Sequence, residues 1–302
     1  MLNNRWNVVL LTAIAPMVWG TTYAVTSELL PPDRPLTASV LRALPAGLLL
    51  VAVTRKLPRG SWWWRSLVLG TLNIGAFFAL LFLAAYRLPG GVAATVNAIQ
   101  PLLAMGLSFL LLGEKLTTRM LLAGIAGVAG VSLLVLRAQA RLDVIGVLAA
   151  LGGALVMATG VVLSKRWRSP ASPLATTGWQ LVAGGLVLLP VMLLVEGTPP
   201  TDLSGQNLIG YGYLMIVGAV IAYPLWFRGI SMMSPTSAAF LGLLSPVVAT
   251  ALGWLALGQS LTPLQAVGAV IVLAALASTQ IARRPRREAP LLPEETPTPV
   301  AR

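Results

Sequence analysis

Residues 89–117, PGGVAATVNAIQPLLAMGLSFLLLGEKLT, have a counterpart later in the chain, residues 234–262, SPTSAAFLGLLSPVVATALGWLALGQSLT. The two stretches align without gaps at an offset of 145, and ten of the 29 positions are identical. The identical positions include Pro101 with Pro246 and the Leu-Thr pair that ends each copy. Apolar helices often match by chance, but an ungapped match that includes these residues indicates an internal repeat.

Around these stretches, the chain consists of apolar runs that are separated by charged residues, Pro or Gly. Each run is close to the roughly 17–25 residues of a membrane-spanning helix. Backbone inside a bilayer must satisfy its own hydrogen bonds, so each run is predicted to be an α-helix. The ten predicted spans cover residues 8–30, 37–54, 67–86, 90–112, 118–137, 144–164, 174–195, 208–230, 235–257 and 263–282.

Five spans fall in residues 1–140 and five in residues 141–282. Because five is an odd number, the second half must enter the membrane from the opposite side, so we predict two inverted five-helix repeats. Inverted repeats are typical of transporters, which bind solute between the halves and open alternately to each side. Residues 283–302 are rich in Pro and charge and are predicted to form a disordered cytoplasmic tail.

Lysine and arginine are distributed unevenly between the two ends of the spans. If the N-terminus is cytoplasmic, fourteen of them fall on the inside and four on the outside. Cytoplasmic loops of membrane proteins carry such an excess, so both termini are predicted to be cytoplasmic. The net charge of +12 is explained by the same loops, and no nucleic-acid partner is expected.

The composition excludes most enzymes and soluble proteins. Hydrophobic residues make up 57% of the chain and charged residues 10%, whereas soluble domains carry about 25% charged residues. The chain has no His and no Cys, which excludes Ser-His dyads, thiol catalysis and the usual zinc sites. Asp occurs only three times, so paired aspartates for Mg²⁺ are also missing. We expect a lipid bilayer as partner, no metal, no cofactor and no enzyme activity.

Several short motifs follow one another along residues 8–282. Besides Arg42, they are Trp19-Gly20-Thr21-Thr22-Tyr23, Leu88-Pro89-Gly90-Gly91-Val92-Ala93 with Gln100-Pro101, Leu112-Gly113-Glu114-Lys115-Leu116-Thr117, Leu225-Trp226-Phe227-Arg228-Gly229-Ile230 and Leu244-Ser245-Pro246. In order and spacing, the chain resembles the EamA-type members of the drug/metabolite transporter superfamily. One departure is Gln259, where many members carry Glu.

This resemblance implies a multi-pass protein of the bacterial plasma (inner) membrane that transports small metabolites, with export more common than import. Amino acids, particularly aromatic ones, are the substrates that we expect. Nucleosides, sugars and drugs are alternatives within the same fold, and a non-transporting membrane scaffold subunit is an alternative outside it. The sequence leaves open a monomer or a weak homodimer.

Arg42 lies inside the second predicted span, five residues after its start. A charged residue within a span raises the free energy of membrane insertion by at least about 2.5–3.5 kcal/mol. Its presence there therefore indicates a structural or functional role. One hypothesis is that Arg42 binds a substrate carboxylate. The other is that it forms a structural ion pair with Glu28, near the outer end of the first span.

Polar residues also lie beside the two repeated prolines. Proline removes a backbone donor and frees the carbonyl one turn earlier, so Pro101 and Pro246 are predicted to kink their helices. Asn97, Gln100 and Ser245 lie next to these kinks and are predicted to line a substrate pocket. The alternative for them is hydrogen bonding between helices.

The remaining candidates for substrate contact are aromatic and amide side chains. Trp19 and Tyr223 lie in span interiors, where an interfacial aromatic belt does not explain them, and could stack on an aromatic solute. Packing in the helix bundle is the alternative for each, whereas the run Trp62-Trp63-Trp64 is assigned to the belt. The full set is Trp19, Tyr23, Asn73, Phe77, Trp179, Gln180, Tyr223 and Trp226.

The acidic residues bear on energy coupling. Proton-driven carriers usually bury an acid or a histidine inside the bundle. Here Glu28 and Glu114 lie at span ends, and no acid lies in the middle of a span. We therefore expect facilitated diffusion or exchange, with Glu28 as the only candidate proton carrier.

Overall fold

The structure is a computed structural model that describes residues 5–87, 90–135, 143–256 and 260–280. Within these ranges the chain is helical without strands, and ten helices are long and apolar enough to cross a membrane. The predicted all-α architecture with ten spans is therefore confirmed. The predicted tail, residues 283–302, lies outside the described residues.

The ten helices are numbered α1–α10 in chain order. Six of them are continuous: α1 (Arg5–Leu29), α2 (Pro35–Thr54), α5 (Thr118–Val135), α6 (Val144–Arg166), α7 (Pro173–Val195) and α10 (Pro263–Gln280). Two contain a π-helical turn: α3 (Trp62–Gly70, π turn Thr71–Ala76, Phe77–Arg87) and α8 (Gly205–Met215, π turn Ile216–Ile221, Ala222–Met232). Two are interrupted: α4 (Gly90–Asn97, Gln100–Leu112) and α9 (Pro235–Leu241, Leu244–Ala256).

Local sequence explains where several helices begin and end. The side chain of Asp143 accepts the Gly146 N–H at 2.7 Å and caps the start of α6. Ser204 and Asn207 form a reciprocal capping box at the start of α8. Gly113 ends α4 with a φ of 68°, a left-handed conformation that glycine adopts without strain.

The helices of the two halves are interleaved. Helix α2 packs along α7, α4 along α9 and α5 along α10. Helix α1 packs on α8 and α9, and α6 packs on α3 and α4. Exchanging α1–α5 with α6–α10 leaves this set of partners unchanged.

The crossing of α2 and α7 depends on two glycines. A Cβ on Gly47 would lie 2.6 Å from the Val182 nitrogen, and a Cβ on Gly185 would lie 2.8 Å from the Leu44 Cβ. Each helix therefore presents a glycine to the backbone of the other, the close approach that small residues allow in membrane bundles.

The outer surface of the bundle is apolar. Leu194 is 87% exposed and Leu110 is 73% exposed, and many other large apolar side chains on the helices face outward. Such a surface is unfavourable in water and suits contact with lipid.

Candidate functional site

An aromatic cluster joins α1 to α8. The ring centroid of Trp19 lies 4.9 Å from that of Tyr223 and 5.3 Å from that of Trp226. Phe227 continues the cluster, 6.0 Å from Tyr223. Trp19 is half-buried, whereas Tyr223 and Trp226 are buried. The structure thus brings together three of the aromatic residues that the sequence singled out.

The π turn of α8 places a backbone carbonyl at this cluster. The indole Nε1 of Trp19 donates to the Gly218 carbonyl at 3.1 Å. In an α-helix that carbonyl would accept the N–H of Ala222. Here the Ala222 N–H bonds to the carbonyls of Val217 and Ala219 instead, so the turn leaves the Gly218 oxygen open to side chains.

Arg42 reaches the same carbonyl from α2. Its Nη2 donates to the Gly218 oxygen at 3.2 Å, and its guanidinium carbon lies 5.3 Å from the ring centroid of Phe78 and 5.7 Å from that of Tyr223. The side chain is only 8% exposed, and its Nε has no hydrogen-bond partner in the described part of the chain. The guanidinium is thus buried against a carbonyl and two rings.

The sequence also suggested an ion pair between Arg42 and Glu28. The contacts of Arg42 that the structure describes do not include Glu28, whose side chain is exposed near the end of α1. The Arg42 side chain instead contacts the π turn of α8.

A second buried polar cluster surrounds the π turn of α3. Asn73 is completely buried, and its Nδ2 donates to the Gln180 Oε1 at 2.8 Å and to the Ser164 Oγ at 3.2 Å. The Asn73 Oδ1 has no partner in the described part of the chain. Gly160 makes room for this amide, since a Cβ there would clash with it.

The two polar contacts occupy corresponding places in the two halves. Arg42 and Gln180 each lie five residues before the glycine at which their helices cross. Their partners, Gly218 and Asn73, are 145 residues apart and lie in the two π turns. The contact between Arg42 and Gly218 is therefore the counterpart of the contact between Gln180 and Asn73.

The helix interruptions lie close to the repeated prolines. Helix α4 is broken at residues 98–99, just before Pro101, and α9 at residues 242–243, just before Pro246. The side chains of Asn97, Gln100 and Ser245 flank these breaks and are half-buried.

The break in α9 lies next to the aromatic cluster. A Cβ on Gly20, which follows Trp19, would lie 2.6 Å from the Ser245 carbonyl oxygen. The close contact between α1 and α9 at Gly20 places the second broken helix beside Trp19.

Trp179 lies away from both clusters. The Trp179 Nε1 donates to the Lys56 carbonyl at 2.7 Å, and its ring packs on Trp62 at 6.3 Å, near the ends of α2 and α3. Trp62 itself is buried, which differs from the predicted belt, whereas Trp63 and Trp64 are exposed.

The last two candidates for substrate contact are Phe77 on α3 and Tyr23 on α1. Phe77 is half-buried and packs on Phe78 at 5.8 Å. The side chain of Tyr23 lies outside the described residues. Phe78 and Gly218 were not predicted, because neither a phenylalanine nor a glycine in an apolar run carries a signal for contact with Arg42.

Comparisons with known proteins agree on one family. The model of the EamA-like transporter family matches residues 6–136 and again residues 144–279. Protein PecM of Dickeya dadantii (strain 3937) is 48% identical over 268 residues, which cover 88% of this chain and 90% of PecM. The uncharacterized inner membrane transporter YedA of Escherichia coli (strain K12) is 30% identical over 261 residues, covering 80% and 84% of the two chains. A solved structure described as "Crystal structure of protein" shares the fold, with a TM-score of 0.77 at 23% identity over 91% of this chain and 97% of that one.

Proposed function

Because the chain belongs to the EamA-like transporter family, we propose that it exports small metabolites, amino acids foremost, by alternating access through a central site between its halves. The membrane would be the bacterial plasma (inner) membrane, which agrees with the description of YedA as an inner membrane transporter. The relative YedA is named as a transporter. Transport requires none of the catalytic groups that the composition excludes.

The buried guanidinium of Arg42 is the observation that carries the substrate assignment. A buried charge is stable only if it is paired or well hydrogen-bonded, and Arg42 has one carbonyl and two ring faces. None of these three contacts is a carboxylate. A substrate carboxylate could bind the guanidinium in the two-pronged geometry that arginine favours. Trp19, Tyr223 and Trp226 would then lie beside the apolar part of the solute.

The proposed mechanism requires two inverted repeats, and three observations support them. The packing partners of the helices are unchanged when the halves are exchanged. The two π turns are offset by 145 residues, the same offset as in the repeated sequence. The family model matches the chain twice, once in each half. Inverted repeats of this kind can rock against each other around a site near the membrane midplane.

The arrangement favours exchange or facilitated diffusion over proton coupling. The central cluster of Trp19, Arg42, Tyr223 and Trp226 contains no acid that could carry a proton. Transport should therefore proceed when the pH is equal on both sides of the membrane, with Glu28 as the candidate carrier if it does not.

Counterflow in proteoliposomes tests this proposal. Vesicles preloaded with one of about twenty unlabelled amino acids are offered the matching labelled compound at equal pH on both sides. We expect saturable accumulation, stronger for phenylalanine, tyrosine, tryptophan and threonine than for charged amino acids. The absence of accumulation for every amino acid, with intact monodisperse protein, would exclude the amino-acid assignment, and nucleosides, sugars and lipophilic cations would be tested next.

A variant series assigns the role of Arg42. We expect Arg42→Gln to raise the KM for phenylalanine at least tenfold, since a charge-assisted hydrogen bond contributes about 1.5–3 kcal/mol. Arg228→Gln is the matched control, because Arg228 is on the same helix as Tyr223 but outside the cluster. Uptake of phenylethylamine, which lacks the carboxylate, should not respond to Arg42→Gln. Equal KM values for the three proteins would show that Arg42 has a structural role only.

A further inference from the structure

A cavity of about 900 Å³ opens at the end of the bundle where α1 begins and α10 ends. Its walls come from the first turns of α1 and α5, the junction of α8 with α9, and the last turn of α10. Binding pockets for small molecules range from about 300 to 1,000 Å³, so the cavity is large enough to hold one.

This cavity is separate from the Trp19–Arg42 cluster. Among the cavity-lining residues of α1, Val9 lies nearest to Trp19, ten residues before it. At 1.5 Å per residue, the two places are about 15 Å apart along the helix. No residue of the aromatic cluster lines the cavity.

Among the described residues, the charged groups that line the cavity are two arginines. Arg5 donates a hydrogen bond to the Gln280 carbonyl, and Arg119 donates to the Ser278 carbonyl, both in the last turn of α10. Each guanidinium has five N–H donors, so donors remain after these contacts. The Gln280 side chain donates to the Ser237 carbonyl at 3.0 Å, so this carbonyl oxygen in the cavity wall is also hydrogen-bonded.

The lining contains no acid among the described residues, and its other polar members include several hydroxyl groups. The hydroxyl groups of Ser234 and Ser278 already donate to the Ser237 Oγ and to the Ala275 carbonyl. The Ser237 hydroxyl accepts the bond from Ser234 and keeps its own proton, which an anion could accept. Positive groups that line a concave surface without compensating acids raise the local concentration of anions.

The rest of the lining is apolar and adaptable. Val8 and Val9 come from α1, Met120 from α5, and Met232 and Met233 from the end of α8. Methionine side chains adjust their shape to different apolar partners. The cavity therefore combines a cationic, hydroxyl-bearing wall with a soft apolar wall.

We propose that this cavity is a second solute-binding site, a vestibule for amphipathic organic anions such as carboxylates with an apolar body. That such solutes continue to Arg42 rests on the proposed function, whereas their binding in the vestibule rests on the cavity alone. The vestibule selects by negative charge before the solute reaches the aromatic cluster.

Cysteine labelling tests the vestibule without a transport assay. The chain has no cysteine, so a single introduced thiol is the only reactive one. The reporter is Ser237→Cys, which lines the cavity, and the matched control is Ser260→Cys, an exposed serine that does not. The full chain in nanodiscs is treated with methanethiosulfonate reagents that carry either a sulfonate or a trimethylammonium group.

We expect the ratio of anionic to cationic labelling rates to be about tenfold higher at Ser237→Cys than at Ser260→Cys. Adding Arg119→Gln or Arg5→Gln should lower that ratio toward the control value, and Arg119→Lys, which keeps the charge, should restore it. Equal ratios at the two reporters, or a ratio unaffected by both Gln substitutions, would overturn the proposal. Two arginines are tested because each also bonds to a carbonyl of α10, a contact that can support the fold.

Protection by a probe identifies the charge class of the ligand. N-acetylphenylalanine at millimolar concentration should slow labelling at Ser237→Cys at least threefold and leave Ser260→Cys unchanged. N-acetylphenylalaninamide, which differs only in lacking the carboxylate charge, should not protect. Equal protection by acid and amide would overturn selection by charge, and protection by neither would overturn binding.

The outcomes separate the vestibule from the proposed function. Protection at Ser237→Cys with no counterflow of any solute would retain the vestibule and reject the transport route. Counterflow that depends on Arg42, together with equal labelling ratios, would retain the proposed function and reject the vestibule.

Discussion

Single residues carry the polar contacts inside this apolar bundle. The Gly218 carbonyl accepts from both Trp19 and Arg42, and the Asn73 amide donates to both Gln180 and Ser164. In each case one group in a π turn holds side chains from two other helices. Such contacts fix the relative rotation of helices whose faces are otherwise uniformly apolar.

Asn73 and Gln180 share a buried hydrogen bond between α3 and α7. We expect Asn73→Ala and Gln180→Ala each to destabilise the protein, because each leaves the partner amide buried without its hydrogen bond. In a double-mutant cycle, the coupling energy should be about 0.6–1.7 kcal/mol, the range found between membrane helices. Reversible unfolding in mixed micelles measures it, and additive effects would show that the contact contributes nothing.

The second prediction concerns Glu114, in the loop between α4 and α5. Burial raises the pKa of Glu114 above its ordinary value of 4.5, and Lys165 opposes the shift to a smaller degree. A raised pKa means that the ionised carboxylate is less favourable in the folded state than in the unfolded state. Stability should therefore fall as the pH rises from 4.5 through the raised value.

Glu114→Gln removes this titration and provides its test. The variant and the parent should have the same Tm below pH 4.5, and the variant should be the more stable toward neutral pH. Thermal unfolding from pH 4 to pH 8 measures the difference. A parent that gains stability relative to the variant as the pH rises would contradict the assigned sign.

At the scale of helices, the structure shows two kinds of irregularity. The π turns of α3 and α8 expose a carbonyl or a side-chain amide toward the neighbouring helices, and the breaks in α4 and α9 precede Pro101 and Pro246. Each kind occurs once in each half. The continuous helices α2 and α7 instead make a close backbone contact between the two halves, through Gly47 and Gly185.

Gly47 and Gly106 both lie in membrane helices but differ in the space around them. Gly47→Ala should destabilise the protein by about 1–3 kcal/mol, because the new methyl group would meet the backbone of α7. Gly106→Ala is the control, since nothing lies within 4 Å of the place where its Cβ would be. It should be neutral or stabilising by up to about 1 kcal/mol, the difference in helix propensity. Unfolding in detergent measures both, and equal effects would refute the close crossing of α2 and α7.

For the molecule as a whole, the orientation in the membrane follows from the uneven charge. The inner side should hold the loop between α2 and α3, which carries Arg55, Lys56 and Arg59, and the outer side the loop between α9 and α10. Impermeant maleimide added to intact cells should therefore label Ser260→Cys and should label Ser61→Cys only after permeabilisation. The opposite pattern would reverse the orientation and place the vestibule on the outer side.

Much of the architecture was predictable from the sequence, and the reason is the bilayer. Lipid requires about twenty apolar residues for each crossing and internal hydrogen bonding throughout, so ten apolar runs predicted ten helices. The absence of His and Cys excluded whole classes of chemistry without any structural information. Trp19 and Tyr223 were singled out because an interfacial belt does not explain rings in span interiors, and the structure places these two rings together. Their contact with a solute stays a prediction.

The tertiary structure alone decided which residues meet. When every face of a helix is apolar, the sequence does not reveal its rotation, and therefore Arg42 was assigned to two alternatives, a substrate carboxylate or Glu28. The structure places Arg42 against the Gly218 carbonyl in the π turn of α8, where binding of a substrate carboxylate stays a prediction. It places Trp179 against the Lys56 carbonyl at the end of the bundle. Hydrophobic runs thus determined how many helices cross the membrane, whereas a few backbone irregularities and glycine contacts determined how those helices face one another.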